Sequence, residues 1–333
     1  MAEPAEPDRD PVDALAQAAL ARFGIGDGAR VTLVNVSENH TYKVDDPGSG
    51  RSYALRLHRP GYRTVAEIES ELAWIDALRT DGVVHTPRAI AAPDGARVVP
   101  AQAPGVEARN AVMFEWLDGT VVDMDDGVRA LEQYERLGAI SARMHEHLRG
   151  WRAPAGFTRP PWDYEHSIGP SGYWGAWQDG LGIGLEERRV LERLDETIRT
   201  RLERFGGGPE RFGLIHADMR LANLLVNGSE VLLIDFDDCG ASWFMYDFAT
   251  TVSFMEDHPR VPELRDAWIR GYRSVAALDD ASVTELQTFV MLRRLLLVAW
   301  IGSHHTFAPE AAELGAGFTA GTCALAEAYL STH

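Results

Sequence analysis

The sequence predicts an α+β chain in two lobes, a strand-rich N-lobe over residues 11–115 and a mainly helical C-lobe over 116–333. Three observations carry this. Up to Glu115 the chain alternates between strand-like runs rich in β-branched residues and one long helical segment. Beyond Leu117 long stretches of helical period take over. Embedded among them are two short apolar runs, LIHADMRLAN and VLLIDFDDCG, that end in carboxylates and amides and read as strand–loop–strand. A chain of 333 residues can bury cores large enough for such a division.

The elements follow in order. Residues 1–10 are acidic and proline-rich, lack the basic and apolar regions of a signal peptide, and read as a disordered tail. PVDALAQAALARFG has helical periodicity, a Pro start and a Gly stop. RVTLVNVSENHTYKV reads as two strand halves around the polar break SENH, and SYALRLHRP as a third strand. VAEIESELAWIDALR is helical with acids on one face. VHTPRAIAAP and ARVVPAQAP suggest loops and short strands, and AVMFEWLDG an apolar strand closed by a Gly turn. GVRALEQYERLGAISARMHEHL is a long amphipathic helix, followed by an irregular excursion rich in Pro, Gly and aromatic residues over 149–177. GLEERRVLERLDETIRTRLERFG is a charged helix with many i,i+4 pairs. After the two short strands, SWFMYDFATTVSFM, VPELRDAWIRGYRSVAAL, ASVTELQTFVMLRRLLLVAWIGSHH and FTAGTCALAEAYL all read as helices.

Bulk composition excludes some functions. The net charge of −18 opposes non-specific nucleic-acid binding, which needs a basic surface, but leaves room for a locally positive phosphate site. Lys43 is the single lysine. Two cysteines without metal-like spacing argue against a disulfide framework and for a reducing, cytoplasmic setting. The most apolar run, VMLRRLLLVAWIGS, carries Arg293 and Arg294; it is too short and too charged to span a membrane and reads as a buried helix. GIGDG at 24–28 follows a helix, the wrong context for a dinucleotide fingerprint. His304-His305 lacks the spacing of a zinc site. The aromatic residues Trp151, Phe157, Trp162, Tyr164, Trp174 and Trp177 pack the excursion onto the C-lobe or line a substrate pocket.

Chemistry concentrates at the two short strands. Buried carboxylates are costly unless paired, hydrogen-bonded or metal-bound. A hairpin would bring Asn223 and Asp235 to one end, and an amide oxygen beside a carboxylate suits Mg2+. Asp218 is then free to accept a proton from an alcohol, which completes the parts that phosphoryl transfer needs. Asp237 and Asp238 add carboxylates that fit a solvated turn, a metal or a substrate ammonium.

HADMRLANLL followed by LIDFDD resembles the signature of the aminoglycoside phosphotransferase and choline kinase-like superfamily, a branch of the protein-kinase-like fold. The resemblance implies that Asp218 is the catalytic base, that Asn223 and Asp235 bind Mg2+, that His216 braces the loop, and that Asp247 ties it down. DFD stands where protein kinases have DFG. Arg220 would neutralise the transferring phosphoryl group or form a local surface salt bridge. The N-lobe would hold ATP. A glycine-free turn at Ser37–Thr41, with Ser37 and Asn39, would cover the phosphates. Val44 would lie over the adenine if alternation holds from Tyr42, and Lys43 would then point away. Arg56, in Tyr53-Ala54-Leu55-Arg56, takes the place of the phosphate-pairing lysine and can hold phosphate bidentately. Glu71 is its implied partner, whereas Glu67 and Glu69 read as a solvated face. Met113–Leu117, with Glu115 and Leu117, would be the adenine-reading hinge. RRLLLVAWIG and IDFDD look closer to homoserine kinase-like and bacterial stress-response kinase members. The expectation is ATP- and Mg2+-dependent phosphorylation of a small-molecule hydroxyl on an amino alcohol, amino acid, sugar or aminoglycoside-like acceptor. A Ser/Thr protein kinase of the same fold and a non-catalytic nucleotide-binding module are the alternatives, and the intact Asp218, Asn223 and Asp235 oppose the latter.

Overall fold

The computed structural model describes residues 11–121, 127–228 and 230–332, so the tail expected at 1–10 lies outside the described residues. The chain divides into one compact unit up to Ala73 with Pro87–Leu117, and a second of Trp74–Thr86 with Asp118–His333.

The first unit contains α1 (Pro11–Arg22), β1 (Arg30–Val36), β2 (Asn39–Asp46), β3 (Arg51–His58), the start of α2 (Val65–Thr80), β4 (Ala89–Ile90), β5 (Val99–Ala103) and β6 (Val106–Glu115). The sheet runs β1-β2-β3-β6-β4, with β5 also on β6, and every pairing is antiparallel. Strand alternation gives this sheet two different faces. One buries Tyr42, Val44, Leu55, Leu57 and Met113 in a core shared with Leu15, Ala16 and Ala19 of α1. Tyr42 adds a hydrogen bond from its hydroxyl to Asp13 of α1, 3.0 Å. The other face is set by the pairs Thr41↔Arg56, Lys43↔Ala54, Ala54↔Phe114 and Arg56↔Val112.

The second unit contains β7 (Thr120–Val121), α3 (Gly127–His147), α4 (Tyr164–Ser167), α5 (Leu185–Phe205), β8 (Phe212–Ile215), β9 (Leu224–Asn227), β10 (Glu230–Leu233), β11 (Gly240–Trp243), α6 (Tyr246–Thr251), α7 (Val261–Arg273), α8 (Asp280–His304) and α9 (Pro309–Leu330). Helices α3 and α7 approach closely because each offers a glycine. A Cβ on Gly138 would sit 2.0 Å from the Trp268 carbonyl, and one on Gly271 would sit 1.7 Å from that of Glu135. The excursion after α3 stays irregular apart from α4 and one 3-10 turn at Trp177–Asp179. SWFMYDFATTVSFM is helical only over α6; the backbone leaves the helix at Val252, and Phe254 adopts a positive φ of 69°.

Helix α8 runs 25 residues, so the length argument against a membrane span does not decide the matter. Among the described residues it is the one helix long and apolar enough to cross a membrane, and 83% of its apolar window is buried inside the protein.

Candidate active site

Two antiparallel pairings nest in the second unit. β8 pairs with β11, ending at Ile215↔Gly240, and β9 pairs with β10, beginning at Leu224↔Leu233. The loops that join them, 216–223 and 234–239, therefore run side by side. The Ile234 N–H donates to the Asn223 carbonyl at 3.0 Å, which sets Asp235 next to Asn223.

Asp218 is held from two directions. Its Oδ2 accepts a hydrogen bond from Asn223 Nδ2 at 2.8 Å, and its Oδ1 accepts one from Arg293 Nη2 at 2.7 Å. Asn223 Nδ2 also donates to the Asp218 carbonyl, 2.9 Å. With the amide nitrogen committed to Asp218, Asn223 Oδ1 points the other way and accepts no hydrogen bond among the described residues. That oxygen and the Asp235 carboxylate are hard donors of the kind Mg2+ takes, and two protein oxygens suit an ion that keeps its remaining positions for water and phosphate. The residues present thus fit a magnesium ion.

Backbone strain marks the same two loops. Ala217 and Asp235 are both left-handed, at φ 65° and 62°. Such a conformation costs a non-glycine residue about 1–2 kcal/mol and persists only where the surroundings enforce it. Asp247 does so for the first loop: Oδ1 accepts the Ala217 N–H at 2.9 Å, and Oδ2 faces the His216 N–H at 3.4 Å and His145 Nε2 at 3.1 Å. Thr250 Oγ1 accepts the Met219 N–H at 2.8 Å. His216 ties the loops together. Its Nδ1 accepts the Asp218 N–H at 3.2 Å, so Nε2 carries the proton that it donates to the Ile234 carbonyl at 3.1 Å. Burial holds the imidazole below its ordinary value, outweighing the pull of Asp247 and Asp218, and the neutral tautomer is the one this geometry requires.

The second loop is gripped from the aromatic excursion. Arg159 donates to the carbonyls of Asp237 and of Cys239, the latter at 2.6 Å. Trp162 Nε1 donates to the Asp238 carbonyl at 2.7 Å, and the Trp162 N–H to that of Ala241 at 2.7 Å. Phe236 packs edge-on against Trp74, ring centres 5.5 Å apart. Part of the excursion therefore packs onto the carboxylate loop.

Arg220 lies near Asp218 without binding it tightly. Its Nε stands 3.7 Å from Asp218 Oδ2, while Nη1 reaches both oxygens of Glu310 at 2.8 Å. Burial opposes its charge, but Asp218, Glu310 and Asp235 outweigh that and hold it protonated.

In the first unit, Arg56 Nη2 bonds both oxygens of Glu71 at 2.8 and 2.6 Å, and the guanidinium stacks over Phe114. Both side chains are buried. Glu67 and Glu69 are not merely solvated. Glu67 forms a capping box with Thr64, accepting its N–H at 2.7 Å, and Glu69 pairs with Arg97 at 2.7 Å.

The sheet corrects two of the nucleotide expectations. Val44 does not face the Arg56 side: it is fully buried in the core against α1. Thr41 opposes Arg56 across the β2–β3 ladder, so Lys43, two residues on, shares that face, and Val44 takes the other. Lys43 sits 5.1 Å from the centre of the Trp116 ring and 3.2 Å from Asp45. The turn before β2 is shorter than expected, closing over Ser37 and Glu38 with the Ser37 N–H on the Asn39 carbonyl. Asn39 is buried, and its Oδ1 accepts the Arg59 N–H at 3.2 Å. Glu115 ends β6 with its N–H on the Arg88 carbonyl at 2.9 Å, and Leu117 follows in non-helical, unpaired chain.

A sheet unit with a buried Arg–Glu pair, and a helical unit with nested Asp–Asn and Asp loops, define a protein-kinase-like phosphotransferase. A model of the phosphotransferase enzyme family matches residues 31–285, and the chain belongs to that family. The structure of a microcompartment-associated aminopropanol kinase superposes with a TM-score of 0.87 at 46% identity, covering 96% of this chain and 97% of that one. Amicoumacin kinase of Bacillus subtilis (strain 168) is 24% identical over 319 residues, 91% of this chain and 89% of that protein. Amicoumacin kinase hAmiN, solved in complex with AMP-PNP, Ca2+ and Ami, shares the fold at 22% identity with a TM-score of 0.76, covering 94% of this chain and 93% of that one.

Sequence reasoning named Trp162 among the aromatic residues that pack the excursion onto the C-lobe, and its bonds to the Asp238 and Ala241 carbonyls agree with that. It missed Glu310 and Arg159, which left no signal that separates them from surface and loop residues, and it did not connect Arg293, a charge inside the most apolar run, with Asp218.

Proposed function

We propose that the protein transfers the γ-phosphoryl group of ATP, with Mg2+, to the hydroxyl of a small amino alcohol. The observation that carries this is the Asp218 carboxylate, fixed between Asn223 and Arg293 beside Asp235. Likeness to an aminopropanol kinase over nearly the whole chain supports the acceptor class. An acceptor hydroxyl donates its hydrogen bond to Asp218, which aims the oxygen and takes its proton as the bond to phosphorus forms. Asn223 Oδ1 and Asp235 would hold Mg2+, which when bound supplies positive charge to the phosphates. Arg56, oriented by Glu71, holds the phosphates by its guanidinium fork. Arg220 offers a second positive charge once its grip on Glu310 is exchanged for phosphate oxygens.

The test is ADP release from Mg-ATP with aminopropanol, ethanolamine, homoserine, an aminoglycoside and a Ser/Thr peptide as acceptors. Amino alcohols are expected to stimulate release, and Asp218→Asn to lower it about 100- to 10,000-fold while Mg-ADP still binds. Stimulation by the peptide alone would replace this reading with a protein kinase. Nucleotide binding without any stimulated release would replace it with a binding module.

A further inference from the structure

Helix α8 buries two adjacent arginines, Arg293 and Arg294, 3% and 5% exposed. A guanidinium in such a run is tolerated only with a matched partner. Arg294 has one outside the two loops: it pairs with Glu256, donates to Thr322 Oγ1 at 2.9 Å, and stacks on Phe318. The last two contacts tie α8 to α9. Arg293 points elsewhere. Nη2 meets Asp218 Oδ1 at 2.7 Å, Nε meets Ser253 Oγ at 3.2 Å, and the plane lies over Trp174 with its carbon 5.4 Å from the ring centre. Tyr246 and Asp238 face it as well.

We propose that Arg293 is a positioning residue for phosphoryl transfer, locking the Asp218 carboxylate in the orientation that receives the acceptor hydroxyl. This rests on the reading of Asp218 as the base. Asn223 alone grips one oxygen from within the same loop and leaves the carboxylate able to swing about its Cβ–Cγ bond. Arg293 takes the other oxygen from a helix 75 residues away in sequence, and its own fork is fixed by Ser253 and the Trp174 face. The carboxylate plane is thereby set by two separate elements. The remaining lone pairs are the ones open to a hydroxyl. The irregular excursion gains a role here too, since Trp174 caps the guanidinium from it.

Arg294 supplies the control, because it is equally buried on the same helix yet serves packing. The experiment compares wild type, Arg293→Met, Arg293→Lys and Arg294→Lys for three readouts. They are turnover of aminopropanol and ethanolamine with Mg-ATP, hydrolysis of Mg-ATP without acceptor, and Mg-ADP affinity. Arg293→Met is expected to lose about 100-fold in kcat for the acceptor. Hydrolysis to water and Mg-ADP affinity should stay within about threefold of wild type, so the ratio of transfer to hydrolysis falls. Arg293→Lys, with charge but no fork, should recover part of the loss. Arg294→Lys should lower the melting temperature and leave the ratio unchanged. An active wild type with Arg293→Met within about twofold of it overturns the inference alone. So does a loss of turnover matched by an equal loss of Mg-ADP affinity, which would make Arg293 purely structural. A wild type that turns over no acceptor overturns the proposed function, and this inference with it.

Discussion

Replacing Glu71 by Gln should separate what the Arg56–Glu71 pair does for folding from what it does for nucleotide. The Glu71 side chain is fully buried and that of Arg56 is 6% exposed. One guanidinium nitrogen lies 2.6 and 2.8 Å from the two carboxylate oxygens. Removing one member of such a pair leaves the other charge buried and unmatched, at a cost of about 3–5 kcal/mol. At about 2–4 °C per kcal/mol for a large domain, the melting temperature should fall by about 6–20 °C. The Phe114 face, 5.2 Å from the guanidinium carbon, still attracts the cation and places the outcome toward the lower end. The second effect is on ATP. A guanidinium no longer held by a carboxylate loses its aim at phosphate, and charged hydrogen bonds are worth about 1.5–3 kcal/mol each. The KM for ATP should therefore rise about 10- to 100-fold, with the acceptor KM unchanged. The assays are thermal or urea unfolding of the apo protein and initial rates at varied ATP. A large stability loss with an unchanged ATP KM would refute Arg56 as a phosphate ligand. An unchanged melting temperature would refute the burial argument itself.

Val44→Ala should destabilise the protein by about 1–3 kcal/mol, read by urea unfolding, and leave the ATP KM alone, because Val44 fills the α1-facing core; a rise in KM without loss of stability would restore it to the nucleotide face. Stability should also fall as pH is lowered through and below 6.5, since the folded state keeps His216 neutral while the unfolded chain takes up a proton. The folded value is depressed, so this contribution is present above the ordinary value and lost on acidification. His216→Gln should flatten that part of the urea-midpoint-against-pH curve, and an unchanged slope would remove His216 as its source.

The nested loops were legible because the signals that build them are local. Each short strand is an uninterrupted apolar run, the polar residues fall at its end, and a hairpin of that length has one obvious register. Asn223 and Asp235 follow from counting. The β2 faces were harder. Alternation shows that Tyr42 and Val44 share a face and that Lys43 takes the other, but not which face a helix covers. The answer comes from pairing: Thr41 stands opposite Arg56 and Lys43 opposite Ala54 across the β2–β3 ladder. Alternation within β2 left the choice of face open, and the packing of α1 takes Val44 to the other side.

The arginines of α8 show a different limit. Adjacent residues on a helix point about 100° apart, which favours separate partners for two neighbouring buried cations. The sequence shows that the arginines of VMLRRLLLVAW need anions, and it offers many carboxylates without saying which. Glu256 lies 38 residues before Arg294, and Asp218 lies 75 before Arg293. Only tertiary packing brings them in, and it assigns the pair unequal tasks. Arg294 meets a buried carboxylate in the turn after α6 and also bonds Thr322 of α9, which makes it a packing brace. Arg293 meets the carboxylate that stands beside Asn223 and Asp235, so the same kind of burial becomes a constraint on how the Asp218 carboxylate is oriented. The charge that looked like an interruption of a core helix is what lets that helix reach the Asp218 carboxylate.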